Sequence, residues 1–397
     1  MVVRTSQAMV IATFYHPMEE QAIQKVQNLM DKLKAFFVER EDIIEAMFIS
    51  LLCRQHAIFI GPPGTAKSGL IYGLTKSVQD FRIFYYLLNK FTLPEEVLGP
   101  VMISKLEHDE FERKIESKLP DAEIGFIDEV FNGNSSILNS LNSIMNERIF
   151  YNGSQAVKVP LECLFGATNF MPEETNLVAF FDRFLFRFLI EYIQKDENFR
   201  TMLENNLQHT EFKVNPQEML TQAEVHLLQT KVSKVKFPVM DKVIEIRTNL
   251  RKEQIEPSDR RFAWALSALQ ASAVIHGRES VTEDDLYILE NILWSDKKEV
   301  GVVISTILKT INPAIARVQE QSKMGRNIED SIKKKDPDKD KEKFLEAYKK
   351  LNEIRKTIEE TKTKGFFGDK ETHAIELILS ENASARKEIL HKLGMDE

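Results

Sequence analysis

The chain has 397 residues, 43% hydrophobic and 29% charged, enough for two or three globular domains. Its 53 basic and 61 acidic residues leave a formal charge of −8, which argues against a dominant nucleic-acid or anionic-membrane surface. The two cysteines, Cys53 and Cys163, lie in apolar segments. That argues against a disulfide framework or a thiolate metal site and fits buried thiols in a reducing cytoplasm.

Residues 8–15 form a short apolar run that lacks the longer core and small-residue cleavage site of a secretion signal. They read as a short leader or edge segment. No run reaches the roughly 20 apolar residues of a membrane helix, so no membrane insertion is expected. The nearest candidate, residues 177–190, is broken by Asp182, Arg183 and Arg187. Helical spacing of Ile23, Val26, Leu29, Met30 and Leu33 predicts a helix over 19–37, and a second is predicted over 42–53.

An apolar strand, 56–60, then enters the stretch Gly61, Pro62, Pro63, Gly64, Thr65, Ala66, Lys67, Ser68 and Gly69, which leads into a helix. That order makes a phosphate cradle. Loop N–H groups and the helix N-terminus point positive charge at an anion, a lysine reaches the outer phosphates, and a serine hydroxyl ligates Mg²⁺. Ala66 stands where a glycine is usual.

Residues 81–88 read as a second strand, and 101–119 as a polar excursion from the core. Residues 123–129 form a short apolar strand ending in Asp128 and Glu129. A helix over 135–146 follows, then a hairpin turning at Asn152-Gly153-Ser154. Residues 161–169 form a buried strand ending in Thr168-Asn169. A short helix, 176–183, and a last strand, 184–192, complete the region. Strands alternating with helices imply a parallel sheet, with ligands at the C-terminal strand ends. Three of those ends carry the phosphate loop, Asp128-Glu129 and Thr168-Asn169. This constellation suits ATP hydrolysis. Lys67 serves the β and γ phosphates, and Ser68 and Asp128 serve Mg²⁺. Glu129 polarises the attacking water, and Asn169 fixes it.

After about residue 196 the strand signal fades, and helices are predicted over 199–207, 216–232, 238–253, 260–276 and 282–293. Thr282 and Asp285 form a helix-start signal, and Gly277 ends the preceding helix. Residues 296–318 are apolar and helical, 331–363 strongly charged, and 365–368 a turn before a last helix over 370–393. The acids interspersed in the charged stretch read as a solvated hairpin or a long exposed helix.

Several segments together resemble the MoxR group of AAA+ ATPases, and RavA-like members in particular. They are the loop with Ala66, a common departure in this group, residues 91–100 and 119–123, and Phe126-Ile127-Asp128-Glu129-Val130. Residues 137–141 and 144–148, Ala167-Thr168-Asn169, Asp182-Arg183-Phe184 and Ser258-Asp259-Arg260-Arg261 complete the set. The resemblance covers about residues 20–295. It implies an α/β fold: an AAA+ P-loop parallel-sheet core over 1–195, an all-α lid domain over 196–295 and a helical C-terminal extension over 296–397. Of the RavA-like extension, a helical part interrupted by a small β-rich domain, only the helical part is expected here.

The resemblance also implies roles. Val38 lines the adenine pocket, Arg183 is an arginine finger acting on a neighbouring subunit, and Arg260 is the sensor-2 arginine. Arg187 and Arg261 are the alternatives for those two roles. Residues 101–119 match a pore-facing hairpin. A finger given to a neighbour implies a homo-oligomeric ring, usually a hexamer. The expected partner is a von Willebrand factor A domain protein. The function implied is Mg²⁺-dependent ATP hydrolysis in the cytoplasm, driving chaperone-like remodelling or assembly of a protein or metal-cofactor client. Two other readings share the core: a nucleic-acid motor or loader, against which the acid balance weighs, and a nucleotide-gated scaffold with little turnover, against which Asp128, Glu129 and Asn169 weigh. A salt-sensitive, DNA-stimulated ATPase rate would favour the motor.

Overall fold

A computed structural model describes residues 2–208, 211–333, 335, 339–364 and 369–395. The chain forms two compact units, one of Met1–Val239 with Pro257–Lys297, the other of Met240–Glu256 with Lys298–Glu397.

The first unit is built on five parallel strands: β1 (Ala57–Ile60), β2 (Ile83–Leu87), β3 (Ile124–Asp128), β4 (Cys163–Thr168) and β5 (Phe186–Leu189), in the order β2-β3-β4-β1-β5. Strands β1 and β4 are buried throughout, as expected of inner parallel strands covered on both faces. At the edge, β2 alternates, with Ile83, Tyr85 and Leu87 exposed and Phe84 buried. The register sets Ile60 beside Thr168 and Leu189, and Leu87 beside Asp128. The loops leaving β1, β3 and β4 therefore emerge side by side, and this alignment builds the site.

The helix over 19–37 expected from the sequence is the C-terminal part of Val2–Phe36, which also takes in residues 8–15. Those residues are helical. Ala22, Val26, Leu29 and Leu33 are buried at three- and four-residue spacing. The helix Glu41–Cys53 ends at Arg54, whose left-handed backbone (φ 56°) stops it before β1. Asn134 caps Ser135–Glu147, its side chain accepting from the Ile137 N–H at 3.1 Å. The hairpin Ile149–Asn152 with Gln155–Lys158 forms where the sequence placed it. The excursion after residue 100 is closed by an antiparallel bridge between Val101 and Arg113. It docks on that hairpin through the Asn152 side chain, which accepts from the Arg113 N–H at 2.7 Å and donates to its carbonyl at 3.0 Å.

Two local expectations change. Residues 216–232 divide into a 3₁₀ turn (Pro216–Glu218), a two-residue strand (Leu220–Thr221) and a helix (Gln222–Val232). The strand pairs in parallel with Val78–Gln79, a contact too short and too distant in sequence to leave a pattern. Residues 283–291 are 3₁₀ rather than α-helical, although the Thr282–Asp285 start forms as expected. Asp285 is buried there and holds Arg278 at 2.6 Å and Ser272 at 2.6 Å. Both cysteines are free and buried, and burial pushes the Cys53 thiol up to about 12. Among the described residues no helix is long and apolar enough to cross a membrane.

The second unit is helical. The apolar run over 296–318 is two helices, Val300–Ile311 and Pro313–Ile332, with Asn312 capping the second and Pro313 at its first position. Pro313–Ile332, Lys341–Lys364 and Asp369–Lys392 pack on one another around Val318, Phe344, Leu351, Ile358, Ile375 and Ile389. The charged segment therefore carries a buried stripe, Phe344, Ala347, Leu351, Ile354 and Ile358, at helical spacing. Its charges face away and pair along the helix, as in Glu346–Lys350 (2.6 Å) and Arg355–Glu359 (2.7 Å). The expected turn over 365–368 lies outside the described residues.

Candidate nucleotide site

The loop after β1 is shaped by backbone demands. Gly61 donates to the Thr168 carbonyl at 3.1 Å, and a Cβ on it would lie 2.2 Å from the Ile190 carbonyl oxygen. Only glycine fits between the ends of β4 and β5. Gly64 is left-handed (φ 81°), with open space where a side chain would be. Ala66 is left-handed too (φ 65°, ψ 22°), a conformation that costs a non-glycine residue energy, and the helix Lys67–Thr75 starts directly after it. Left-handed residues in a loop ahead of a helix turn successive N–H groups toward one concavity, which suits an anion.

Lys67 is almost fully buried. Its ammonium donates to the Gly61 carbonyl at 2.6 Å, the Pro62 carbonyl at 2.9 Å and Asn169 Oδ1 at 3.1 Å. All three acceptors are neutral, so the charge stays available to phosphate. Burial lowers the Lys67 pKa, while the charges of Asp128 and Glu129 act to raise it. Ser68 Oγ donates to Asp128 Oδ2 at 3.2 Å, and Asp128 Oδ1 accepts from the Glu129 N–H at 3.0 Å. Asn169 Nδ2 donates to Glu129 Oε1 at 2.5 Å. Glu129 is itself left-handed (φ 51°), which turns its carboxylate from the line of β3 toward Asn169. Burial and the neighbouring Asp128 charge push the Glu129 carboxyl up, against the pull of Lys67. Thus Lys67, Ser68, Asp128, Glu129 and Asn169, predicted from three separate strand ends, form one hydrogen-bonded chain.

The residues suit Mg²⁺ bound with a nucleotide. Among the described residues there is no cluster of His, Cys, Asp or Glu able to hold a metal alone. Mg²⁺ does not need one: it takes hard oxygens and usually keeps water and substrate phosphate in its shell. The hydroxyl–carboxylate pair Ser68–Asp128 supplies that kind of partial set.

Beside the loop lies a cleft of about 590 Å³ lined by Phe36, Phe37, Val38, Tyr192, Phe199 and Met202, with Gly64, Thr65 and Ala66 at its floor. An apolar, aromatic-walled space next to a phosphate loop fits a nucleobase. Val38, which the resemblance implies at the adenine, is part of this lining; Tyr192 and the wall from the helix Asp196–Leu207 were not anticipated. Glu39 secures that helix. Its carboxylate accepts from the N–H groups of Gln194 (2.8 Å) and Lys195 (2.9 Å) and from Asn198 Nδ2 (2.9 Å). Burial acts to raise the Glu39 pKa, but these bonds outweigh it and hold the group below its ordinary value. Partners so far apart in sequence carry no local signal; the adjacent Phe36 and Phe37 beside Val38 are the part of the wall that a local pattern could have shown.

The arginines divide into two sets. Arg187 and Arg261, each 1% exposed, share Asp182 Oδ1 at 3.0 and 2.7 Å. Arg187 also donates to the Trp294 carbonyl, and Arg261 to the carbonyls of Leu185 (3.0 Å) and Ile292 (2.9 Å). Both are consumed in the core, so neither is free to take the roles open to it as an alternative. Asp182, Arg187 and Arg261 form a triad that leaves out the neighbouring Arg183. Arg183 donates to the Ala179 carbonyl, and its Nε is buried without a partner. Burial lowers the Arg183 pKa, and the charge of nearby Arg260 adds to the effect. Arg260 is exposed and lies over the Trp264 ring at 5.7 Å. Arg183 and Arg260 thus form their own electropositive pair, outside the hydrogen-bonded chain of Lys67 to Glu129.

Residues 24–230 match a family model described as the MoxR domain of MoxR-vWA-beta-propeller ternary systems, and residues 238–307 match an AAA lid domain. The chain belongs to the MoxR family of AAA+ ATPases. A relative from Methanocaldococcus jannaschii, the uncharacterized protein MJ0812, is 36% identical over 370 residues, 91% of this chain and 98% of that protein. The chaperone MoxR1 of Mycobacterium tuberculosis is 20% identical over 338 residues, 77% of this MoxR-family chain and 86% of its own. A crystal structure of a candidate ATPase from Cytophaga hutchinsonii shares the fold, with a TM-score of 0.62 at 18% identity, covering 76% of this chain and 98% of that one. Membership of this family implies that the chain binds a nucleotide.

Proposed function

We propose that this chain hydrolyses ATP with Mg²⁺ and uses the energy for chaperone-like remodelling of a protein client. The observation that carries the reading is the continuous chain Lys67–Asn169–Glu129, flanked by Ser68–Asp128. In this reading Lys67 moves from the loop carbonyls to the outer phosphates. Asn169 and Glu129 hold a water between them, and Glu129 takes its proton as it attacks. A Mg²⁺ ion held by Ser68, with Asp128 behind it, would neutralise charge developing on the phosphates.

The transition state needs further positive charge, and Arg183 with Arg260 is suited to supply it. Because that pair stands outside the Lys67–Glu129 chain, the reading assigns it to the site of a neighbouring copy in a ring, a hexamer by analogy with the family. The printed description of the matched family, which couples MoxR to vWA and beta-propeller proteins, supports a von Willebrand factor A partner. The printed name of the mycobacterial relative supports the chaperone character.

Mixing variants tests the reading. Glu129→Gln should bind ATP and not turn it over, and Arg183→Ala should bind ATP yet be inactive. Mixing the two should restore part of the activity, because some interfaces then pair an intact Glu129 with an intact Arg183. Normal turnover by Glu129→Gln would refute the assignment of the base. A mixture as inactive as its components would refute catalysis across an interface.

A further inference from the structure

Two clefts flank the phosphate loop, and each has one cation in its lining. In the aromatic cleft it is Arg40, which is buried and donates to the carbonyls of Glu39 (2.6 Å) and Glu191 (2.7 Å). That guanidinium holds the chain together and has little left for a ligand. The second cleft, about 490 Å³, lies on the other side of the loop, against Gly61, Pro62 and Asn169. Its cation is Lys297, which is exposed and, among the described residues, has neither a hydrogen-bond nor an ion-pair partner.

The position of the second cleft is informative. Asn169 is the residue that joins Lys67 to Glu129, so a cleft lined by Asn169 and the first loop residues opens on the terminal-phosphate end. The base-binding walls, Val38 and Phe199, lie in the other cleft. Within this unit the other arginines near the loop strands are committed, Arg187 and Arg261 to Asp182, and Arg183 stands with Arg260. A bound triphosphate would also share the site with Asp128 and Glu129, whose negative charges act against it. A strongly hydrated ammonium on a flexible stem in the lining of that cleft is electrostatically favoured to close on it. Lys297 is also the last residue of its unit before the chain passes into Val300–Ile311.

We propose that Lys297 binds the terminal phosphate of ATP held by its own chain and so distinguishes ATP from ADP. The proposal rests on the ATP reading above and adds to it a cation from the same subunit, separate from the Arg183–Arg260 pair. It makes the segment that leads out of the nucleotide-binding unit sensitive to whether the terminal phosphate is present.

Two measurements on the full chain with Mg²⁺ test this. The first is the affinity for ATPγS and for ADP, measured by calorimetry. Lys297→Ala should weaken ATPγS by about tenfold, the size expected for one charge-assisted hydrogen bond, and leave ADP within about twofold. Lys297→Arg should restore most of the loss. Equal weakening of both nucleotides, which a merely structural role would give, overturns the proposal, as does no change in either. The second uses the unaltered chain, with amine acetylation read by mass spectrometry. Lys297 should be protected by ATPγS and not by ADP, while the exposed Lys213 reacts equally in both. Equal labelling of Lys297 with the two nucleotides overturns the proposal. If the unaltered chain binds neither nucleotide, it is the ATP reading itself that fails.

Discussion

Replacing Asp182 tests whether the arginine division is the real one. The carboxylate, 35% exposed, is the shared partner of Arg187 and Arg261, each 1% exposed. Burial already pulls the Arg261 guanidinium down to about 10, with Asp182 opposing that fall. Asp182→Ala would leave two buried cations with only carbonyl and hydroxyl acceptors. Stranding a buried charge costs about 3–5 kcal/mol, and the remaining acceptors favour the lower end, about 3 kcal/mol. For a unit of this size that is a fall of about 5 °C in melting temperature, read by circular dichroism. Asp182→Asn keeps an oxygen acceptor without the charge and should fall between wild type and Ala. Arg183→Ala removes a half-exposed side chain that makes one hydrogen bond to a carbonyl, and should cost less than about 1 kcal/mol. If Asp182→Ala were neutral, or Arg183→Ala equally damaging, the triad would not be what fixes this corner of the sheet, and the freedom of Arg183 to reach a neighbour would lose its basis.

Two further outcomes follow from the loop and from Glu129. Ala66→Gly should raise the melting temperature, by about 0.5–1 kcal/mol of stability, because glycine adopts the left-handed conformation observed there without a Cβ conflict; a lower melting temperature would contradict that backbone. Glu129 is raised above the ordinary carboxyl value of 4.5 by burial and by Asp128. A raised carboxyl is harder to ionise in the folded chain than in the unfolded one. Its contribution to stability is intact below the unfolded value and is lost as pH rises through the folded one. Glu129→Gln should therefore melt higher than wild type at pH about 8, with the gain vanishing below pH about 4. A gain that grew on acidification would reverse the assignment. The acid limb of ATP turnover should likewise lie above the ordinary carboxyl range.

Much of the nucleotide site was legible because its residues are placed by local pattern. Apolar runs that end abruptly in Gly61, in Asp128-Glu129 and in Thr168-Asn169 identify strands by period and bring chemistry to their ends. Parallel pairing then aligns those ends, so one topological inference put five side chains together. Harder to read were features whose partners lie far apart. Glu39 caps a helix more than 150 residues away, and Asp182 holds Arg261 across 79 positions. Short pairings such as Val78–Gln79 with Leu220–Thr221 gave no periodic signal. In the charged C-terminal stretch, the apolar stripe from Phe344 to Ile358 was masked by the lysines and acids between its members.

By itself, then, the sequence determined the parallel-sheet core, the phosphate loop, and the identity of the acids and the asparagine around it. Periodicity and turn chemistry act over a few residues and can be read there. Only the tertiary structure decided which of four arginines are spent and which are available. Each of the four has the same charge and similar neighbours in the chain. Burial against Asp182 and the carbonyls of Leu185, Ile292 and Trp294 separates Arg187 and Arg261 from Arg183 and Arg260. The same is true of Ala66. The sequence shows a missing glycine, and the fold shows an alanine held left-handed at the head of the phosphate helix, a backbone state that a residue's identity alone does not reveal.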